Sequence, residues 1–337
     1  MAAPALRPPI LRCGRDADAE GFIALIAACW AEYPGCIMDM ERENAELRAL
    51  ATYYADKGGA LWAAEDEGVI VGVTAAAPLD GDAWEIGKVY VASAFRGSGL
   101  AQSLMTAAEA HAIAAGARDI KLWSDTRFDR AHRFYEKLGY VRAGPIRVLH
   151  DLSNSLEFAY AKPGRGVAVR RLDAAGASSA ERGLAEILRA CVDAGASVSY
   201  LPPLAVDVAR GFYHRAASAV AEGKKIMLGG WVDGVLAGTV MLDLDTPPNQ
   251  PHRAEVQKLL VHPAARRNGL ARTLMAELEV QARTAGRSLL TLDTRAGDAA
   301  ETLYLSLGYY EAGRIPRFAL NADGTLCDTL LFWKELQ

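Results

Sequence analysis

The sequence is poor in the residue patterns that build metal centres and disulfide frameworks. Five cysteines and six histidines are scattered over 337 residues, without a CxxC, HxxxH or HxxEH spacing. Zinc sites need such closely spaced ligands, and an odd, dispersed set of cysteines is typical of reduced thiols. We therefore expect no metal site and a cytoplasmic protein.

Long apolar runs and dense basic clusters are missing as well. No apolar run reaches the roughly 18 residues of a membrane-spanning helix, and the first residues lack the pattern of a signal peptide. A net charge of −4 without a Lys/Arg block argues against a nucleic-acid partner. With 51% hydrophobic residues the chain is typical of a globular protein. Its length predicts two domains.

A glycine-bearing phrase occurs twice, as RGSGLAQSLM from Arg96 and as RRNGLARTLM from Arg266. The similarity extends upstream to EIGK from Glu85 and EVQK from Glu255, and downstream to the tyrosine-bearing segments FYEKLGY and LYLSLGY. This repeat is far longer than the roughly 20–50 residues of a solenoid unit, so it indicates a duplicated domain. We predict an N-terminal domain over 1–162, a Pro/Gly linker over 163–166 and a C-terminal domain over 167–337.

Each copy predicts the same order of elements. A short strand precedes an amphipathic helix and a second helical stretch. Two strands then form a hairpin with a tight polar turn. A further strand runs into the repeated phrase and a helix, followed by a buried strand, a helix and a closing hairpin. The predicted ranges and turns are Ile10–Cys13 and Ala168–Leu172 for the first strand, Met40–Ala55 and Leu204–Glu222 for the second helical stretch, and Glu67-Gly68, Asp233-Gly234 and Asp323-Gly324 for the turns. The fold class is α/β, a mixed sheet with helices on both faces, built twice.

The glycine phrase by itself indicates either a tight strand-to-helix turn or an anion site made by backbone N–H groups at a helix start. Neither copy contains the P-loop or the complete G-x-G-x-x-G pattern. With its upstream Glu and downstream tyrosine, the phrase resembles the [RQ]-x-x-G-x-[GA] signature of the GNAT superfamily of N-acetyltransferases. The resemblance implies two tandem GNAT (acyl-CoA N-acyltransferase) domains that use acetyl-CoA. The C-terminal half, with GASVSYLPPL and ADGTL, is similar to the tabtoxin-resistance type of acetyltransferase.

The resemblance assigns acetyl-CoA to the two signature loops. A backbone N–H near Val91 or Val261, at the end of the preceding strand, would polarise the thioester carbonyl. Arg267 replaces Gly97, so its side chain either crowds or contacts the pyrophosphate. The implied pyrophosphate-binding residues are Arg96, Gly97, Ser98, Gly99, Leu100 and Ala101 in the first copy and Arg266, Arg267, Asn268, Gly269, Leu270 and Ala271 in the second.

Two pairs of residues are candidates for proton transfer. Glu85 and Glu255 are the candidate general bases for the acceptor amine; the alternatives are an exposed strand glutamate and a salt-bridge partner of Lys88 or Lys258. Strand alternation predicts that Glu255 shares a face with Gln257 and Leu259 and that Lys258 points away. Tyr135 and Tyr304 occupy the family's tyrosine position and are the candidate acids for the CoA thiolate, with a packed core aromatic as the alternative.

The acceptor is the least defined part of the prediction. Asp125 and Asp293, each in a DTR sequence, are candidates to orient the amine, although their equivalence is open. Ser197, Ser199 and Tyr200 lie where the family builds the acceptor wall. We predict transfer of acetyl to a primary amine of a small molecule, amino-acid-like or toxin- or antibiotic-like. Alternatives are acetylation of a protein N-terminus or lysine, and an acyl-CoA-binding module with one or both halves inactive. The two halves suit either a monomer with pseudo-twofold packing or a homodimer.

Overall fold

A computed structural model describes residues 8–336 of the chain. Their contacts divide into two units. The first contains the residues up to Arg133 together with Ala143–Gly164, and the second contains Phe134–Arg142 and the residues from Arg165 onward. The segment Phe134–Arg142 therefore groups with the second unit although it lies within the first copy in sequence. The domain boundaries predicted above, at 162 and 167, remain a prediction.

The first unit is a mixed sheet in which β1, β2, β3, β4, β5 and β8 follow one another in space. All these neighbours are antiparallel except β4 and β5, which are parallel. The elements up to the end of the first copy are β1 (Ile10–Cys13), α1 (Ala19–Trp30), α2 (Leu50–Asp56), β2 (Ala60–Asp66), β3 (Val69–Pro78), β4 (Ala83–Val91), α3 (Leu100–Ala114), β5 (Asp119–Asp125), α4 (Asp129–Lys137), β6 (Val141–Arg142), β7 (Arg147–Val148) and β8 (Leu156–Pro163).

Helices cover both faces of this sheet because alternate strand residues point to opposite sides. On one face, Phe22 and Ile26 of α1 pack into a core with Val73. On the other face, Leu100 and Leu104 of α3 pack with residues such as Val71. The spacing of the buried residues in α1 is the amphipathic helical pattern that the sequence predicts.

The second unit repeats this plan, with the strand order β9-β10-β11-β12-β13-β15-β14. Its only parallel neighbours among the described strands are β12 and β13. Helices α5 and α6 cover one face of the sheet and α7 and α8 the other, so the predicted α/β fold class is confirmed. The elements are β9 (Val167–Leu172), α5 (Ala174–Asp193), α6 (Val206–Ala221), β10 (Lys225–Val232), β11 (Val235–Asp243), β12 (Arg253–Val261), α7 (Leu270–Thr284), β13 (Leu289–Arg295), α8 (Ala299–Ser306), β14 (Tyr310–Leu320) and β15 (Leu326–Glu335).

Local sequence explains the tight turns and the late start of one predicted helix. Both central residues have positive φ, as a type I′ turn requires, at two of the three predicted turns: 47° and 83° at Glu67-Gly68, and 48° and 75° at Asp233-Gly234. At the third turn, Asp323-Gly324, only the glycine does, with a φ of 80°. The helix predicted over Met40–Ala55 is wrong in its first part, because helical structure begins only at Ala45. The Asp39 side chain accepts hydrogen bonds from the next backbone N–H groups, which favours a turn over a helix.

Candidate active site

In each unit the two parallel strands separate next to a predicted base. Strand β12 pairs with β13 only over Arg253–Glu255, and β4 pairs with β5 only over Ala83–Glu85. Glu255 is therefore the last residue of β12 that pairs with β13, and Glu85 is the last residue of β4 that pairs with β5. Beyond them, a gap opens between the strands that is free of backbone pairing.

The N–H group of Val261 points into this gap. Hydrogen-bonded and non-hydrogen-bonded pairs alternate along an antiparallel ladder. His262 donates its backbone N–H to Ala237 O over 2.8 Å, so the next pair, Val261 with Gly238, is of the non-hydrogen-bonded kind. The Val261 N–H consequently points away from β11. In the first unit Val91 pairs with Gly72 and has the same orientation, since Ala92 N donates to Val71 O.

A β-bulge interrupts β12 between the predicted base and this N–H group. The register with β11 shifts between Thr239 and Met241, and Lys258 has a φ of 52°. The extra residue reverses the alternation of side chains beyond it. The first unit has the same bulge, with a φ of 54° at Lys88.

The bulge corrects one prediction on β12. The flanking Ala254 and Val256 belong to the core under α7 and α8, so Glu255 faces the side of α5 and α6. Lys258 lies on that side too, with Nζ 3.3 Å from Ser199 Oγ, whereas Leu259 packs against the opposite core. The prediction that Lys258 points away from Glu255 and that Leu259 shares its face is therefore wrong.

The signature loops start helices α3 and α7 with glycines in the left-handed region. Gly99 and Gly269 have φ values of 91° and 80°, and neither helix has a side-chain cap at this position. A Cβ at Gly97, Gly99 or Gly269 would meet no atom within 4 Å, so the loop surface is open. Backbone N–H groups at an open helix start suit an anion such as a phosphate. Arg267 adopts a φ of 67° where the first loop has Gly97.

The two signature arginines differ in their surroundings. Arg96 forms a two-point ion pair with Glu32, over 2.6 and 2.7 Å, which holds the pKa of Glu32 below its usual range. Arg266 donates Nε–H to Val261 O over 3.4 Å. Among residues 8–336 no carboxylate lies within 4.0 Å of the Arg266 guanidinium. Its positive charge is therefore available to a ligand, whereas that of Arg96 is balanced within the protein.

The candidate bases have different environments. Glu255 Oε1 accepts a hydrogen bond from Gln257 Nε2 over 3.2 Å. Burial raises the pKa of Glu85, and Arg147 and Lys57 oppose that rise only in part. Lys88, the lysine considered as a partner of Glu85, instead pairs with Glu46 over 3.0 Å.

The candidate acids are both buried, with 6% of each residue exposed for Tyr135 and Tyr304. The ring of Tyr304 packs against Tyr309 and Phe332, with centroids 5.8 and 6.0 Å away. Burial raises the pKa of Tyr304 well above its ordinary value, and the nearby Asp293 adds to the rise. Tyr135 belongs to the segment that groups with the second unit, where its ring lies 6.2 Å from that of Tyr140.

The two DTR sequences are not structural counterparts. Glu85 pairs with Lys121 and Glu255 with Thr291. Counting along β5 and β13 from these pairs places Asp125 level with Arg295, and Asp293 level with Trp123. Asp125 is buried, and Arg127 donates to its carboxylate over 2.5 and 2.8 Å. Burial works to raise the pKa of Asp125, but these hydrogen bonds lower it.

The remaining acceptor candidates lie on the α5/α6 side of the second unit. Asp293 is exposed and accepts a hydrogen bond from Thr329 Oγ1 over 3.2 Å. Ser199 is exposed, with a φ of 72°, and binds Lys258 as described. Tyr200 packs edge-on against Phe212, with centroids 6.3 Å apart. Ser197, in the same connection between α5 and α6, is half-buried.

Comparison with known proteins identifies the family. The model of the acetyltransferase (GNAT) family matches residues 23–140 and 202–309, which together make up more than half of the chain. The chain therefore belongs to the GNAT family of acetyltransferases and carries two copies of its domain, as the sequence predicts. The similarity to the tabtoxin-resistance type stays a prediction.

Individual relatives match one copy at a time. The chain is 33% identical over 137 residues to the uncharacterised N-acetyltransferase YjgM of Escherichia coli K12, covering 39% of this chain and 81% of that protein. It is 34% identical over 106 residues to an uncharacterised N-acetyltransferase from the hisH-hisA intergenic region of Azospirillum brasilense, covering 31% of this chain and 61% of that protein. A solved structure of yncA from Salmonella typhimurium, a putative acetyltransferase with its cofactor acetyl-CoA, is 20% identical with a TM-score of 0.44, covering 51% of this chain and 95% of that one.

Membrane-spanning helices and metal-binding clusters are both absent from residues 8–336. No helix there is long and apolar enough to cross a membrane. No group of three or more His, Cys, Asp or Glu side chains in this part of the chain is arranged to hold a metal ion.

Proposed function

We propose that this GNAT protein transfers acetyl from acetyl-CoA to the primary amine of a small molecule, with a site in each half. The position of Glu255 carries the proposal: it is the last residue of β12 that pairs with β13, at the opening of a gap into which the Val261 N–H points. A proton acceptor and an oxyanion donor thus border the same gap. Glu85 and Val91 repeat this arrangement in the first unit.

The signature loops supply the binding energy for acetyl-CoA. The backbone N–H groups at the starts of α3 and α7 bind the pyrophosphate, since both loops are open and positively polarised. Arg266, which has no carboxylate partner among the described residues, adds a charge-assisted contact in the second unit. Val261 N–H donates to the thioester oxygen. This donor is fixed by the strand before negative charge develops, which is the condition for efficient electrostatic catalysis.

Proton transfer in the second unit then needs two side chains. Glu255 takes a proton from the acceptor ammonium group, directly or through water, and Gln257 holds the carboxylate in place through its amide. The amine nitrogen bonds to the acetyl carbon and the carbon–sulfur bond breaks. Tyr304 gives its phenolic proton to the departing thiolate, and the resulting tyrosinate regains a proton, through solvent, from the new amide nitrogen. An ordinary phenol, with a pKa near 10, already holds this proton at neutral pH, and burial of Tyr304 raises its pKa further. In the first copy, Glu85 is the corresponding base.

The acceptor lies on the α5/α6 side of the second unit, between the gap and the connection that carries Ser197, Ser199 and Tyr200. Asp293 is positioned to orient the ammonium group, since it lies on the strand next to Glu255. An amino-acid-like or toxin-like amine is the acceptor that the predicted resemblance of this half to the tabtoxin-resistance type implies. All five cysteines are free, which supports the cytoplasm, where thiols stay reduced, as the compartment.

Calorimetric titration of the purified protein with acetyl-CoA tests the proposal. We expect two sites per chain, one of which is lost in Gly99→Asp and the other in Gly269→Asp, because a carboxylate in the loop repels the pyrophosphate. One site per chain would show that one half has lost acetyl-CoA binding, and the two variants identify it. No binding to the wild-type protein would refute the proposal.

A further inference from the structure

The bulge lysine of the second unit has an unusual position for a charged side chain. Lys258 Nζ contacts Ser199 Oγ at 3.3 Å and lies 5.5 Å from the centre of the Phe212 ring. Both neighbours belong to the side on which we place the acceptor. Within residues 8–336 no carboxylate lies within 4.0 Å of this ammonium group.

Lysines in comparable positions are neutralised by the protein itself. Lys88, at the same place on the bulge of the first unit, pairs with Glu46 over 3.0 Å. Lys225, a neighbour of Lys258, binds the carboxylate of Asp243 and the amide oxygen of Gln257. Lys258 is thus the bulge lysine that keeps its charge for another partner.

The surroundings of Lys258 favour an added anion. Burial and the charge of Lys225 lower the pKa of Lys258, while Asp293 and Glu255 oppose the lowering from a distance. A partly desolvated ammonium group gains from a close anion, because a charge-assisted hydrogen bond replaces the lost hydration. An anion bound to Lys258 would correspond to the Glu46 carboxylate that pairs with Lys88.

We propose that Lys258 binds a carboxylate of the acceptor, so that the second unit selects amines that also carry a carboxylate group. The inference rests on the proposed function, because it assigns the acceptor to the site of Glu255. The charges are complementary to an amino acid: Glu255 and Asp293 face the ammonium group and Lys258 faces the carboxylate. The first unit has no such preference, since Lys88 already forms an ion pair with Glu46.

Paired acceptors test this selectivity. The Glu85→Gln variant, in which only the second unit turns over, is assayed by release of CoA with each L-amino acid and with the corresponding α-carboxamide. We expect at least one amino acid to exceed its carboxamide in kcat/KM by about 10- to 100-fold, the range of a hydrogen bond to a charged group. The amine of the carboxamide is the less basic one, so without carboxylate recognition the carboxamide would react faster.

A variant pair assigns the preference to the lysine. Adding Lys258→Met, which keeps a long side chain at the same backbone conformation, should lower kcat/KM for the amino acid and leave the carboxamide unchanged. Lys258→Arg should retain most of the preference. The Glu255→Gln variant, in which only the first unit turns over, should not distinguish acid from carboxamide. Calorimetry with acetyl-CoA verifies that each variant is folded.

The outcomes separate the two proposals. If amines are acetylated but acid and carboxamide react equally, or if Lys258→Met lowers both alike, the role of Lys258 is refuted and the acetyltransferase proposal stands. If the wild-type protein releases no CoA with any amine of the panel, both the small-molecule acceptor and the role of Lys258 are refuted.

Discussion

Gln257 donates an amide hydrogen bond to the carboxylate of Glu255, with 3.2 Å between Nε2 and Oε1. The equivalent position in the first unit is Gly87, and a Cβ there would lie 2.9 Å from the hydroxyl oxygen of Tyr54. Glu85 therefore has an aromatic neighbour where Glu255 has an amide donor. The two copies keep the carboxylate at the opening of the gap but stabilise it differently.

The raised pKa of Glu85 predicts a pH-dependent gain in stability for Glu85→Gln. Burial places the folded-state pKa above that of the unfolded chain, which is about 4.3. The ionised carboxylate consequently destabilises the fold above the folded-state pKa, and this penalty disappears below the unfolded value. We expect the variant to have a higher free energy of unfolding than the wild type at pH 8 and an equal one below about pH 4, measured by urea denaturation.

Glu65→Gln is the matched control for that experiment. Glu65 accepts two hydrogen bonds from Arg12, over 2.9 and 2.7 Å, so its removal should lower the free energy of unfolding at pH 8, by up to about 1 kcal/mol. A loss of stability in Glu85→Gln similar to that of the control would contradict the effect of burial on Glu85.

Removal of the Tyr304 hydroxyl should affect turnover and not binding. In the Glu85→Gln background, Tyr304→Phe is expected to lower kcat by about 10²- to 10⁴-fold, the contribution of a general acid. The affinity for acetyl-CoA should stay the same, because the hydroxyl makes no hydrogen bond to another residue in the described part of the chain. Rates of CoA release and calorimetry measure the two quantities.

Tyr309→Phe provides the comparison, because Tyr309 packs against Tyr304 in the same core and has no proposed chemical role. Its kcat should remain close to that of the parent protein. Equal losses in the two variants would show that the Tyr304 hydroxyl acts through packing and is not the acid.

Most of the fold follows from local signals in the sequence. The hydrophobic spacing of α1 and the turn at Asp233-Gly234 are each determined by a few neighbouring residues, so pattern and turn chemistry predict them. The signature loop is predictable in the same way, because Gly269 marks the start of a helix. Glu255 precedes this loop on the same predicted strand, so the sequence also predicts roughly where it lies in the site.

The details of the site depend on tertiary structure and were not predictable. Alternation assumes an unbroken ladder, and nothing in the residue type of Lys258 indicates a bulge with positive φ. The matching DTR letters left the equivalence of Asp125 and Asp293 open for a related reason, since strand register and not letter identity decides which residues correspond. The pairing of Arg96 with Glu32 joins residues that are distant in sequence.

Two buried thiols should be protected from modification. Cys191 Sγ lies 3.3 Å from Val261 O and Cys29 Sγ lies 3.7 Å from Val91 O. Burial raises the pKa of both thiols, although Arg266 and Arg96 oppose the rise. Since the thiolate is the reactive form, we expect Ellman's reagent at pH 7.5 to modify the exposed Cys13 rapidly and these two only after unfolding.

Mass spectrometry of the labelled peptides identifies the sites, and Cys13→Ser should remove the fast phase. Labelling of Cys29 or Cys191 at the rate of Cys13 in the folded protein would contradict their burial next to the ends of β4 and β12.

The left-handed backbone at Gly269 predicts an order of stability for substitutions in the second signature loop. Because a Cβ there meets no atom within 4 Å, the effect of a side chain comes from its φ of 80° and not from a clash. Gly269→Ala should lower the free energy of unfolding by about 1 kcal/mol or more, and Gly269→Asn by less, since Asn tolerates this region better than Ala. Urea denaturation of the two variants measures the difference. An Asn variant less stable than the Ala variant would mean that a contact, and not backbone conformation, requires glycine at the start of α7.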